Sequence, residues 1–251
     1  MISKSQIQFV KSLQMKKFRE LHQAFVVEGP KMVEELLGGK ITVMKIFAGQ
    51  DWKKAADTRQ LENIEVITAG ESDLARISSL KTPNQVLAVA KIESEKPLTA
   101  QHFSDLVLVL DGMNDPGNLG TILRVADWFG IKTVICSENT VDLYNPKTIQ
   151  ASMGSLFRVN VYYKNLVDLL REVAHDVEIF GTFLNGENIY TKPLPEKGII
   201  IIGSESHGIS AEVAKMVNRK LFIPSFSKGA ESLNASIATA IVCSEFRRRK
   251  N

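Results

Sequence analysis

Three stretches of the chain place polar residues where an apolar run gives way to a loop. In LDGMNDPGNLGTILRVADWFG, from Leu110 to Gly130, a strand runs into Asn114, Asp115, Pro116, Gly117 and Asn118, and the following helix carries Arg124 on its first or second turn. In IIIIGSESHGIS a strand ends at Gly203-Ser204-Glu205 and the chain returns at Gly208. In FIPSFSKGAESLN, Ile223 and Pro224 end a strand and a loop leads to Ser232, Leu233 and Asn234. An amide, a carboxylate and a guanidinium beside glycine turns could hold a ligand through side chains and exposed backbone groups. Each stretch also has a plainer reading. Gly117 or Asn118 could sit near a helix cap, Glu205 could meet a cation or cap a helix near Ser210, and His207 could be a surface turn residue. Neither G-x-G-x-x-G nor a P-loop is present. His22, His102, His175 and His207 are scattered and no Cys-x-x-Cys occurs, so no metal is expected.

Those loops need a scaffold that gathers strand ends. LVLVLDG, KTVICS, FRVNVYY, VEIFGTF, GIIIIGS and KLFIPS read as strands, alternating with helices near 119–129, 146–156, 166–175, 210–218 and 233–248. Uncharged strands rich in Val, Ile and Leu predict a buried, mainly parallel sheet. Open α/β sheets collect ligands at the carboxyl ends of their strands. ESEKPLTAQHFSD reads as a linker. Before it lies a smaller α/β unit. It opens with a basic amphipathic helix over 5–22, with Phe9, Val10, Leu13, Phe18 and Leu21 as inward candidates, and continues through the strands AFVVEG, ITVMKIFAG, IEVITA and QVLAVAKI. Two domains are expected, 1–95 and 106–251, joined by 96–105. The last helix begins with Ala235, Ser236, Ala238, Thr239 and Ala240, small enough to let another backbone come close.

The chain has 251 residues, 44% hydrophobic and 24% charged, the make-up of a soluble globular protein. Its longest apolar runs, such as Leu106 to Leu110, are far too short to cross a bilayer, and MISKSQIQFVKSLQMKK has no secretory segment, so no membrane contact and a cytoplasmic location are expected. Cys136 and Cys243 are expected as reduced, buried thiols. Net charge is only +3, but Lys4, Lys11, Lys16, Lys17 and Arg19 precede the first acid and Arg247-Arg248-Arg249-Lys250 closes the chain. Two basic ends on a near-neutral body suit a nucleic-acid partner, or are simply solvated termini.

The patterns N-D-P-G-N-L-G-x-x-x-R, I-I-G-S-E-x-x-G-I and I-P-x-(loop)-S-L-N-x-S-x-A resemble, in order and spacing, the three motifs of the SpoU/TrmH family of RNA ribose methyltransferases. NPKTIQASMGSLFRV resembles the family's segment between the first two motifs, and KKFRELHQAFVVEGPKMVEELL resembles a substrate-binding domain similar to ribosomal protein L30e. The resemblance implies an α/β SPOUT domain with a C-terminal trefoil knot, an L30e-like domain of residues 1–95, and a homodimer formed through the knotted region. It also implies S-adenosylmethionine as cofactor and RNA, most simply 23S rRNA, as substrate.

Carried over by position, the resemblance assigns cofactor binding to Thr182, Leu184, Gly203, Glu205, Ile223 and Leu233, with Glu205 and Asn234 holding the loops in shape. Asn118 and Arg124 would face the reacting ribose with Ser232 nearby, so Arg124, Asn118, Ser232 and Asn234 form the catalytic set. The family gives Arg124 the proton of the 2′-hydroxyl. A guanidinium stays protonated below a pKa of about 12, so Arg124 could instead clamp a phosphate and the developing alkoxide, leaving His207 as an alternative base. A tRNA ribose methyltransferase and an inactive RNA-binding homologue are the competing expectations.

Overall fold

In the computed structural model, which describes residues 2–191, 193–227, 229 and 231–248, the chain divides into two compact units. One is Met1–Glu95 with Tyr144–Phe157, the other Lys96–Leu143 with Arg158–Asn251.

The first unit opens with two helices in place of the one expected over 5–22. α1 (Lys4–Ser12) stops at Leu13, and α2 (Lys16–His22) restarts after Met15. Arg19 holds this break. It is buried, 3% exposed, and donates to the carbonyls of Leu13 (2.9 Å) and Gln14 (2.8 Å), which follow the end of α1. Arg19 therefore serves the fold and leaves the basic face to Lys4, Lys11, Lys16 and Lys17, all exposed. Val10 and Leu13 are buried as expected, whereas Leu21 points into solvent at 69% exposure.

β1 (Ala24–Glu28), α3 (Pro30–Leu37), β2 (Val43–Ala48), α4 (Gln50–Ala55), β3 (Glu65–Thr68), α5 (Glu71–Ile77) and β4 (Val86–Lys91) complete the alternating series. Their sheet has the order β1-β4-β2-β3, with β4 antiparallel to both neighbours and β2 parallel to β3.

The second unit starts with β5 (Leu106–Asp111), α6 (Pro116–Trp128) and β6 (Thr133–Ser137). The chain then contributes α7 (Pro146–Ser152) to the first unit. There the ring of Tyr144 lies 4.5 Å from that of Phe25, and Gln150 Nε2 donates to the Glu28 carbonyl at 3.2 Å. Residues 144–157, which lie within the expected 106–251 domain, pack with the N-terminal unit. α7 is also shorter than the helix expected to 156, because Met153 (φ 48°) and Gly154 (φ 90°) take left-handed conformations.

β7 (Asn160–Lys164), α8 (Leu166–Val173), β8 (Ile179–Asn188), β9 (Gly198–Gly203), α9 (Ala211–Ala214), β10 (Arg219–Phe222) and α10 (Ala235–Arg247) complete the second unit. The sheet order is β10-β8-β9-β5-β6-β7, and every adjacent pair is parallel. β5 and β6 are buried along their whole length and β9 up to Ile202, which is why these strands carry so little charge.

α10 packs on α6 and β9. The small residues at its start divide by face: Ala235, Ser236 and Thr239 are buried, while Ala238 is only half-buried. Ala235→Leu is therefore expected to lower unfolding free energy by roughly 1–3 kcal/mol through overpacking. Arg248→Leu, at the exposed end of the helix, should melt like the parent. Equal melting of the Ala235→Leu variant and the parent would contradict this packing.

At the other end of α10, Arg247 donates to the Phe129 carbonyl and to Asp105 Oδ1, both at 3.0 Å. The first of the terminal basic residues is thus an internal tie. Arg248 pairs with Glu245 at 3.0 Å, and Arg249 and Lys250 lie outside the described residues.

Cys136 and Cys243 are buried free thiols. Burial pushes Cys243 up to about 12 and Cys136 up as well, so neither offers a thiolate at neutral pH. Among the described residues, no helix is long and apolar enough to cross a membrane, and no three metal-ligating side chains cluster.

Candidate functional site

The chain reverses its direction of travel across the sheet between β5 and β9, which sit side by side although β6, β7 and β8 intervene in sequence. A ligand crevice is expected outside the carboxyl ends of strands at such a switch point. Asn118 follows β5 and Glu205 follows β9, so two of the three polar loops open at this place.

The structure ties all three loops together through one carboxylate oxygen. Glu205 Oε1 accepts from Asn118 Nδ2 (2.8 Å), from Asn234 Nδ2 (2.7 Å) and from the Ala235 backbone N–H (3.4 Å). Asn234 Nδ2 also donates to Asn118 Oδ1 (2.9 Å), closing a three-membered ring. The orientation of both amides follows from the chemistry, since a carboxylate oxygen only accepts and each amide must present its nitrogen.

Asn234 does further work as the N-cap of α10. Its Oδ1 accepts from the backbone N–H of Ser236 (3.0 Å) and Ile237 (3.3 Å) and from Ser236 Oγ (2.6 Å). Both ends of its amide are engaged.

Supporting contacts fix each loop separately. Asp115 caps α6 by accepting from Asn118 N–H at 2.7 Å. Asp111 Oδ2 accepts from Ser210 N–H at 2.7 Å, and Ser137 Oγ accepts from Gly112 N–H at 2.8 Å. The sequence reading missed Asp111 and Ser137; their signal is a polar residue closing an otherwise apolar buried strand. Gly203 and Gly208 form a narrow loop in which Ser204 and Gly208 exchange backbone bonds of 3.1 and 2.8 Å. A side chain at Gly203 would collide with the backbone of Gly208 and Ile209, and Gly208 has φ +67°.

The expected cofactor residues fall along one edge. β8 pairs with β10 in two registers, Lys220 opposite Gly181 and Leu221 opposite Glu187, so residues 182–186 bulge between them. Thr182 Oγ1 donates to the Ile201 carbonyl at 3.3 Å, and Leu184 stands 73% exposed on the bulge. Gly203 ends β9, Ile223 follows β10 half-buried, and Leu233 is 45% exposed beside Asn234.

The expected catalytic residues divide. Asn118 is 8% exposed and its side chain is committed to the tie. Arg124 lies six residues further along α6, which turns it to another face. It is exposed and makes no hydrogen bond or ion pair with the described residues. Ser232 is exposed on the loop before Asn234. His207 is exposed at the loop apex, its Nδ1 2.7 Å from Ser206 Oγ.

The chain is similar to known proteins along nearly its whole length. The model of the SpoU rRNA Methylase family matches residues 105–244, and that of the MRM3-like substrate binding domain matches residues 4–88. The 23S rRNA (guanosine(2553)-2′-O)-methyltransferase RlmP of Bacillus subtilis is 33% identical, with 94% of each chain covered. A putative TrmH-family RNA methyltransferase from Porphyromonas gingivalis superposes with a TM-score of 0.90 at 43% identity, covering 99% of both chains. An AdoMet-bound rRNA methyltransferase from Sinorhizobium meliloti gives 0.84 at 28% identity, covering 99% of this chain and 97% of that one. With its motif loops joined at Glu205 and more than half its length matched by the family model, the chain belongs to the SpoU rRNA methylase family.

Proposed function

We propose that this protein methylates a ribose 2′-hydroxyl of 23S rRNA, using S-adenosylmethionine. The Glu205 tie carries the reading, because it assembles the three loops whose motifs mark the family. S-adenosylmethionine supplies an electrophilic methyl group on a sulfonium sulfur. Thr182, Leu184, Gly203, Ile223 and Leu233 line its place on the edge, and Glu205 sets a negative charge beside it while holding the loops. Arg124, always cationic and without a partner among the described residues, binds the phosphate next to the target ribose and stabilises the 2′-oxygen as its proton passes to solvent. The oxygen–methyl bond forms as the sulfur–methyl bond breaks, and the sulfonium leaves as a neutral thioether. Placing the hydroxyl in line with the methyl group supplies much of the acceleration, since effective molarities reach the order of 10⁵ M. Titration with S-adenosylmethionine, followed by methyl transfer to purified 23S rRNA and to tRNA, tests the reading. An inactive homologue would transfer to neither, and a tRNA enzyme would prefer the second.

The first unit adds RNA affinity in this proposal. Deleting residues 1–95 would strip 144–157 of its packing partners, so the test uses substitutions. Lys11, Lys16 and Lys17 are exposed. Changing all three to glutamine should weaken rRNA binding and lower the slope of log K against log salt by about 2 to 3. Unchanged affinity and slope would remove the basic face from the account.

The homodimer is also a proposal. The outward stripe of α6 carries Trp128 at 84% exposure, and that of the adjoining α10 carries Ile237 at 53%. A second copy covering this stripe would bury both, and sedimentation equilibrium of the parent against Trp128→Asp reads it. A cytoplasmic location follows from the substrate.

A further inference from the structure

We infer that Phe226 stacks on an unpaired base of the RNA substrate and so positions the nucleotide whose ribose is methylated. The inference rests on the ribose-methylation reading above and adds the residue that grips the base.

Phe226 is 97% exposed, more than any other large apolar side chain among the described residues. A phenyl ring left in water forgoes the free energy of burial, and the chain itself gives it no aromatic or cationic partner among the described residues. Its loop is anchored on both sides. Ile189 N–H donates to the Phe222 carbonyl at 3.0 Å before it, and Asn234 is locked into the Glu205 ring after it. Hydroxyl groups bend the backbone between those anchors. Ser225 Oγ donates to the Ser227 carbonyl (2.8 Å) and accepts from Ser227 N–H (3.3 Å), and Ser227 Oγ accepts from Gly229 N–H (3.2 Å). Phe226 sits between the two serines and is carried outward on this turn.

The surroundings choose the occupant. Aromatic anchors of protein interfaces sit in an apolar surround, whereas Phe226 is flanked along the chain by two exposed serines, Ser225 and Ser227. The Ser227 hydroxyl, which accepts from Gly229 N–H and keeps its own proton to donate, suits a nucleotide beside the bare ring: the base stacks while the sugar or phosphate takes the hydrogen bond. Phe226 follows Ile223 by only three residues, so a base held here keeps its ribose near the edge where the methyl group is presented. Every base has a π-face, so the contact tolerates sequence and serves position.

The test compares Phe226→Ala, Phe226→Leu and Phe226→Trp in methyl transfer to 23S rRNA at saturating S-adenosylmethionine. Cofactor titration and sedimentation are run on each variant. The alanine variant should lower kcat/KM for RNA on the order of ten-fold or more, with cofactor affinity and oligomeric state unchanged. Leucine should match alanine and tryptophan should restore the parent value. Unchanged kcat/KM in the alanine variant overturns the inference. So does leucine performing as well as tryptophan, a loss of cofactor affinity in step with activity, or a shift in oligomeric state. A parent protein that transfers no methyl group to RNA would instead overturn the proposed function.

Discussion

Arg124→Ala should lower methyl transfer by about two to three orders of magnitude while leaving S-adenosylmethionine affinity unchanged. That range is typical for removal of one preorganised group that stabilises charge in the transition state. The separation of the two readouts comes from the structure. Arg124 is exposed on α6 and bonds to none of the described residues. Nothing in the fold depends on its charge, so the protein should melt normally. Arg124→Lys keeps a point charge but loses the planar fork that grips phosphate in two places, and it should recover only a small part of the activity. Single-turnover transfer and cofactor titration on both variants decide the matter. A cofactor affinity that falls as steeply as the rate would place Arg124 in the cofactor site, and full activity with lysine would reduce its role to simple charge.

Asn234→Asp should be the most damaging isosteric change in the second unit. Aspartate is as good an N-cap as asparagine, so the bonds from Ser236 and Ile237 N–H survive. The two donated bonds do not. Aspartate has no N–H to give Asn118 Oδ1 or Glu205 Oε1, and it sets a second carboxylate against Glu205, whose Oε1 lies 2.7 Å from the Asn234 nitrogen. Loss of charge-assisted bonds and like-charge repulsion should together cost about 2–4 kcal/mol, read as a lower melting temperature and weaker cofactor binding. Asn234→Ser, which keeps a cap and a small donor without the charge, should be milder. Cofactor affinity equal to the parent in the aspartate variant would show that the tie between loops does not shape the site.

Much of this was legible in the sequence because it followed from periodicity and residue type. Strands such as LVLVLDG and GIIIIGS lack charge because both faces are buried, and the structure places them side by side in the parallel sheet. The polar loops Asn118, Glu205 and Asn234 were readable as a group because each closes a strand or opens a helix. Their closed ring was not readable, since a one-dimensional pattern does not say which amide faces which carboxylate. Charge was the least reliable guide. Arg19 and Arg247 count toward the basic ends, yet both guanidinium groups cap carbonyls inside the fold, a choice set by tertiary packing. The attachment of 144–157 to the first unit was not readable for a similar reason: it depends on Phe25 and Glu28, more than a hundred residues away.

The most direct test of the account is a nucleoside-resolved comparison of 23S rRNA from a strain lacking this gene with that from its parent. Purified protein and S-adenosylmethionine are then added back to the unmodified RNA. The account predicts one ribose 2′-O-methyl group missing in the deletion strain, restored at the same nucleotide by the parent protein and not by Arg124→Ala. Identical ribose methylation in the two strains, or a restored methyl group found on a base, would contradict it.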